Sequence, residues 1–251
     1  MIPKIIHYVW VGGGVKPKIV QRCLASWRKH LKGYEIKEWS ETSFDIGCTP
    51  YVKEAYAAGK WAFVSDYIRL KAIYDYGGIY LDSDCYVMNS LDSFLQHSFF
   101  TGFENDQYPF TAVFGAEPKN PVVGRFLEYY ENRSFLFADG AQDLTPNTIP
   151  VSKILCDEFG CARGGRYQKI GRGIAIYPAG VLCQYTSQSL VVHLMEGSWE
   201  ERVKQRFLIR ILGGRANALL FRIRHGYFYA LLELLADFRN RLIRGRCGYD
   251  E

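Results

Sequence analysis

Apolar positions fall along this chain in short strand-like runs alternating with longer helical patterns. Residues 4–11 (KIIHYVWV) form a near-continuous apolar run, which predicts a buried strand, and Gly12-Gly13-Gly14 then turn the chain. Pro17 opens a helical pattern that lasts to about His30, and residues 34–39 (YEIKEW) alternate as a second strand. Residues 50–59 read as helix. A longer helix spans 61–76 and stops at Gly77-Gly78, a fitting C-terminal end. Next comes a short strand, Ile79-Tyr80-Leu81, closing on Asp82-Ser83-Asp84. Further strands are expected at 86–88, 99–103, 111–116, 174–177 and 190–193. Helices are expected near Leu91, over 121–132 and over 151–159. The polar, turn-rich stretch 133–150 reads as a loop able to cover a site.

This alternation over the first hundred residues argues for an α/β layered fold with a mixed, mainly parallel central sheet. In such sheets ligands bind beyond the carboxyl ends of the strands, where Trp10 and Asp82 both fall. Side chains alternate along a strand, so Asp82 and Asp84 can point the same way while Ser83 points away. Paired carboxylates at the end of a buried strand are costly unless a positive group sits between them. A divalent cation carrying phosphates is the usual occupant, since hard cations take oxygen ligands. Asp-x-Asp alone is a common surface triplet; the apolar run before it argues against a solvated turn.

One helix upstream, Asp66 and Arg69 are three residues apart and so neighbours on one helix face. A surface ion pair is the plain reading of that spacing. The alternative is a grip on sugar hydroxyls and phosphate, because guanidinium is a planar donor fork and carboxylate accepts. His193 follows the apolar run Leu190-Val191-Val192. It reads either as a satisfied core residue or as an imidazole ligand beside the carboxylates.

Composition changes the picture in one place. The 251 residues, 48% hydrophobic and 23% charged, suit one large domain with an appendage. Seven scattered cysteines without a Cys-x-x-Cys suggest neither a zinc site nor a disulfide framework, and so a reducing cytosol. The amino terminus lacks the pattern of a signal peptide, and no stretch is apolar enough to span a membrane. The net charge of +5 is concentrated at the end. Residues 202–246 hold eleven Arg and Lys against Glu233 and Asp237, which leaves the rest slightly acidic. We therefore expect a unit at 1–201 and a basic amphipathic helical tail at 202–251. The tail would lie on an anionic membrane surface, the competing possibility being a helical pair packed on the first unit or a dimer contact. No recognised nucleic-acid module accompanies the charge, so nucleic acid is not an expected partner.

Several separated motifs occur in a telling order. Residues 2–10 (IPKIIHYVW), Ser26-Trp27, Tyr34-Glu35-Ile36 and Glu38-Trp39 come first, followed by 61–69 (WAFVSDYIR) and 77–84 (GGIYLDSD). Together they closely resemble glycosyltransferase family 32, the DXD sugar-binding group that includes capsular polysaccharide transferases and initiating mannosyltransferases. The resemblance runs from about Ile2 to Trp199 and is densest up to Asp84.

It implies a retaining transferase of the GT-A type that uses a nucleotide-sugar and a divalent metal, Mn²⁺ or Mg²⁺. The hexose donor would be a UDP-sugar, although GDP-mannose also fits. The acceptor would be a glycan, lipid-linked, in surface polysaccharide synthesis, and the protein would sit in the cytoplasm against the inner face of the membrane. Carried over by position, Trp10 would stack on the base, Asp66 and Arg69 would hold the donor sugar, and Tyr80 would line the site. Asp82 would contact ribose or sugar, and Asp84 would bind metal and diphosphate. His193 would be a metal ligand, and Ser198-Trp199 would lie near the diphosphate. Relatives often have two histidines where this chain has His193-Leu194, so Ser198 and Glu196 stand beside His193 as third ligand. The segment Thr145-Pro146-Asn147-Thr148 departs from the relatives' loop and would meet the acceptor. A metal-dependent nucleotidyltransferase or phosphohydrolase acting on a nucleotide-sugar is the alternative, since it too uses paired acids with a metal.

Overall fold

The computed structural model describes residues 1–171 and 173–194. The tail at 202–251, together with Glu196, Ser198 and Trp199, lies outside the described residues. A seven-stranded sheet organises what is described. It consists of β1 (Ile5–Val9), β2 (Glu35–Trp39), β3 (Gly78–Leu81), β5 (Phe99–Gly102), β6 (Val113–Ala116), β7 (Gln168–Ile170) and β8 (Ile174–Tyr177), in the order β2-β1-β3-β6-β5-β8-β7. β1 pairs in parallel with β2 and β3, and β5 pairs in parallel with β8. β6 and β7 are antiparallel to their neighbours. Five strands therefore run one way and two the other, as the α/β alternation predicts. The short β7, with its partly exposed residues, is not anticipated by any apolar run.

The central strands β3, β5 and β6 bury side chains on both faces. Along β3, Tyr80 packs into one core with α2 (Pro50–Ala57), α3 (Trp61–Tyr76), α4 (Pro121–Glu128) and α5 (Thr148–Phe159). Ile79 and Leu81 pack into the opposite core with α1 (Lys18–His30) and a 3₁₀ turn at Asp92–Phe94. This is period-two alternation in a sheet covered on both sides. Helix α3 buries residues around most of its circumference, Asp66 and Arg69 included.

α3 passes into β3 through two consecutive glycines with positive φ, +64° at Gly77 and +106° at Gly78. A Cβ on Gly78 would stand 2.6 Å from the Ile5 carbonyl oxygen, and one on Gly77 2.8 Å from the Pro118 nitrogen. Only glycine allows the helix to end this close to β1 and still feed the next strand.

Two boundaries differ from expectation. α4 stops at Glu128, and Asn132 has φ +59°, a left-handed position that ends any helical continuation. α5 starts earlier than expected, at Thr148, with Pro150 in its first turn where no intrahelical N–H donor is needed. The intervening loop therefore runs over 129–147, displaced toward the amino terminus from the expected 133–150 and of nearly the same length. It is also partly ordered by an Arg133–Asp143 ion pair and a bridge between Leu136 and Gln142.

The acid pair also departs from its expected setting. β3 ends at Leu81, and residues 82–84 form a turn closed by a hydrogen bond from Cys85 N–H to Asp82 C=O at 2.9 Å. The pleat therefore does not align Asp82 with Asp84. Asp82 still donates its N–H to Ala112 C=O (3.1 Å) as the last rung of the sheet, and the turn folds Asp84 back beside it. Aspartate prefers turns to strand interiors, which is why the strand stops where the carboxylates begin.

After that turn the chain enters a second, two-stranded sheet, in which β4 (Cys85–Val87) pairs antiparallel with β9 (Val191–His193). α1 supports β4: Trp27 Nε1 donates to Cys85 C=O (2.7 Å), and Ser26 Oγ accepts from Val87 N–H (3.0 Å). Among the described residues no helix is long and apolar enough to cross a membrane.

Candidate functional site

β1 and β3 are parallel neighbours, so their carboxyl ends deliver Trp10 and Asp82 to the same rim of the sheet. Trp10 continues the ladder with a bond from its N–H to Trp39 C=O (2.8 Å), and its indole Nε1 donates to Gly14 C=O (2.7 Å). The ring is thereby pinned against the glycine turn, with Lys16 Nζ 5.5 Å from its centroid.

Asp82 is held from two sides. The Tyr80 hydroxyl donates to its Oδ1 at 2.8 Å, and Arg69 Nη1 reaches the same oxygen at 3.4 Å. The other terminal nitrogen of Arg69, Nη2, binds Asp66 Oδ1 one helical turn back. Asp66 is 5% exposed and Arg69 8%, so the surface ion-pair reading of this spacing is corrected. Burial opposes the charge on Arg69, but the charge of Asp82 keeps its pKa raised and the guanidinium charged. Its Nε is buried without a hydrogen-bond partner.

His193 reaches the site through the second sheet. Its partner across the β4–β9 ladder is Cys85, the residue after Asp84, so pairing alone sets the imidazole beside the acids. Two backbone bonds lock that register: His193 N–H to Cys183 C=O (2.8 Å) and Leu194 N–H to Asp84 C=O (3.1 Å). His193 Nε2 lies 3.3 Å from Asp84 Oδ1 and 3.9 Å from Asp82 Oδ2. Burial alone would favour the neutral ring. Asp84 beside it, with Asp82 contributing less, outweighs burial and raises the His193 pKa well above its ordinary value.

The ligand atoms of Asp82, Asp84 and His193 all lie within 4.8 Å of one another. Two carboxylate oxygens and one imidazole nitrogen suit Mn²⁺ or Mg²⁺ in donor type. An imidazole nitrogen aimed at two carboxylates is the arrangement a shared cation would hold in place of a proton.

Of the residues singled out in the sequence, Asp66, Arg69, Tyr80, Asp82, Asp84 and His193 converge at one place, with Trp10 on the neighbouring strand end. Glu104 was missed. It follows β5 at the same rim, and burial raises its pKa, while His193 and Asp82 both act on its charge. No local pattern marks it: a single acid after Phe99-Phe100-Thr101-Gly102-Phe103 resembles any strand end, and only the sheet order puts it near Asp82.

Residues 17–101 match the family model described as a glycosyltransferase sugar-binding region containing a DXD motif. An uncharacterized glycosyltransferase of Acanthamoeba polyphaga mimivirus is 28% identical over 158 residues, which are 59% of this chain and 61% of that relative. The chain thus spans about three fifths of the length of that protein. Among solved structures, the PaToxG glycosyltransferase is similar at 17% identity and a TM-score of 0.46, over 62% of this chain and 69% of its own. A glycosyltransferase involved in glycosylation of the major capsid of PBCV-1 is similar at 14% identity and a TM-score of 0.47, over 77% of this chain and 94% of its own.

Proposed function

We propose that this chain is a metal-dependent glycosyltransferase of the GT-A type, within family 32, that moves a hexose from a UDP-sugar to a glycan acceptor with retention at the anomeric carbon. The observation that carries this reading is the junction of Asp82, Asp84 and His193 with the buried Arg69–Asp66 pair, at a rim lying largely within the region that matches the sugar-binding model. A divalent cation held by Asp82, Asp84 and His193 would neutralise the diphosphate of the departing nucleotide.

The chain's own residues do the rest. Arg69 and Tyr80 fix the Asp82 carboxylate by two hydrogen bonds to one oxygen, so it needs no reorientation as charge develops. In the transfer, the bond from the anomeric carbon to the diphosphate oxygen breaks with its electron pair on that oxygen. The acceptor oxygen bonds the same carbon from the same face, and its proton passes to a phosphate oxygen of the donor. Trp10, pinned at the end of β1, presents an aromatic face for the base.

We further assign residues 1–201 to catalysis and the basic tail to an anionic membrane surface on the cytoplasmic side, where a lipid-linked acceptor of surface polysaccharide synthesis would be presented.

Incubation of the full chain with a panel of UDP- and GDP-sugars, with and without Mn²⁺, tests the activity. The expected products are nucleoside diphosphate and free or transferred sugar, formed only with the cation. Release of sugar-1-phosphate or pyrophosphate would instead mark a phosphohydrolase or nucleotidyltransferase. Asp84→Asn is expected to lower Mn²⁺-dependent turnover by at least about a hundredfold while the far-UV circular dichroism is retained, since even outer-sphere changes cost about 10–100-fold. Near-normal turnover by that variant would sink the assignment.

A further inference from the structure

Glu104 is a half-buried acid that the donor-side chemistry does not use. It stands outside the cluster of cation-ligating atoms, which comprises Asp82, Asp84 and His193. Among the described residues its carboxylate forms no ion pair. Its hydrogen-bond donor is the Thr148 hydroxyl, which reaches Oε2 at 3.2 Å and leaves Oε1 for another donor. A carboxylate partly withdrawn from water and held by a single hydroxyl carries a desolvation cost, and its position argues for a use.

The strand order supplies that position. β3, which ends at Asp82, lies between β1 on one side and β6 then β5 on the other. β3 and β5 run the same way because each is antiparallel to β6, so Asp82 and Glu104 leave the sheet at the same rim. Two strand spacings separate their backbones, about 10 Å, a gap that a sugar ring between two carboxylate side chains can fill. Trp10 lies across β3, on the opposite side from Glu104. A second contact ties Glu104 to the cluster: Gln184 Nε2 donates to Glu104 C=O (3.4 Å), and the preceding Cys183 C=O accepts from His193 N–H. Thr148, the first residue of α5, brings that helix against Glu104 through the hydrogen bond of its hydroxyl.

We propose that Glu104 receives the acceptor: held by Thr148, its carboxylate accepts the hydrogen bond of an acceptor sugar hydroxyl and orients it toward the anomeric carbon of the donor. The inference rests on the transferase reading above and adds the acceptor subsite to it, on the β5 side of the cation cluster. Glu104 is a binding and positioning residue in this scheme, and the acceptor's proton still passes to the donor phosphate.

The test uses the full chain, Mn²⁺, the UDP-sugar it consumes fastest, and methyl glycosides of glucose, galactose and N-acetylglucosamine as surrogate acceptors. Glu104→Gln keeps the shape and removes the charge. It is expected to lower transfer at least about tenfold, chiefly through a higher acceptor KM, because hydrogen bonds to charged groups are the strong ones. Donor KM and UDP affinity by calorimetry should stay within about twofold. Thr148→Val, which removes only the hydroxyl that holds Glu104, should show a smaller change of the same kind. If no glycoside accepts, water takes the acceptor's place. Glu104→Gln should then lower kcat for donor hydrolysis without changing donor KM.

Unchanged transfer or hydrolysis in Glu104→Gln, or a parallel loss of UDP affinity, overturns this inference alone. Failure of the wild-type chain to bind UDP or consume any nucleotide-sugar overturns the transferase reading and this inference with it.

Discussion

His7 shows how a single side chain is committed to one protonation state. It is fully buried in β1, where Trp39 Nε1 donates to its Nδ1 at 3.0 Å and Gly77 C=O takes the proton on Nε2 at 2.8 Å. Both ring nitrogens are satisfied only in that neutral tautomer. Burial, the dominant cause, pushes its pKa down to about 4, with Lys37 acting in the same sense against the Gly77 bond. A histidine with a depressed pKa contributes stability that is complete above the unfolded value of about 6.5 and is lost as pH falls toward 4. The loss amounts to about 3 kcal/mol. Urea denaturation from pH 7 to pH 4 is expected to show that slope in the wild type and a flatter one in His7→Gln. Equal slopes would disprove the assignment.

Arg69 gives a second prediction at this scale. Replacing it with methionine leaves Asp66 buried without its cation, which should cost about 3–5 kcal/mol in the same denaturation measurement. A loss below about 1 kcal/mol would show that the pair is not the buried unit described.

Elements matter here mainly through how they end. α3 carries Asp66 and Arg69, and β3 begins two residues after it, so the Gly77-Gly78 turn sets where Arg69 stands relative to Asp82. Gly78→Ala would press a Cβ against the Ile5 carbonyl in a left-handed backbone position. We expect a destabilisation of at least about 2 kcal/mol, read as a shift in denaturant midpoint. A midpoint equal to wild type would mean the turn has room that the backbone does not show.

The ends were also where sequence and structure agreed least. The 61–76 helix was legible to the residue, because an apolar pattern closed by two glycines leaves little freedom. The Asp82–Asp84 strand was not. Alternation argued for a pleat, whereas turn chemistry at two aspartates prevailed and brought the carboxylates together by folding back. β7 and α6 (Ala179–Leu182) escaped notice because each is too short to carry a period.

Over the whole molecule, charge is divided between a slightly acidic first part, where Asp66, Asp82, Asp84 and Glu104 gather at one rim, and the strongly basic residues 202–246. Such a basic segment is expected to bind anionic membranes with a strong salt dependence. Flotation with phosphatidylserine-containing liposomes should carry the full chain upward, whereas a chain ending at residue 201 should remain at the bottom. Equal flotation of both would refute a membrane role for the tail.

What could be read from residues alone was local: the helical and strand periods, the glycine stop, and the motif from Trp61 to Asp84 whose parts lie within one supersecondary unit. Neighbours in sequence stay neighbours in space, so spacing alone brings Asp66, Arg69 and Asp82 together. Joining His193 to Asp84 depended on pairing strands more than a hundred residues apart. Placing Glu104 opposite Asp82 depended on the order β3-β6-β5. Neither follows from a local pattern, because sheet order is set by which faces bury together across the whole core.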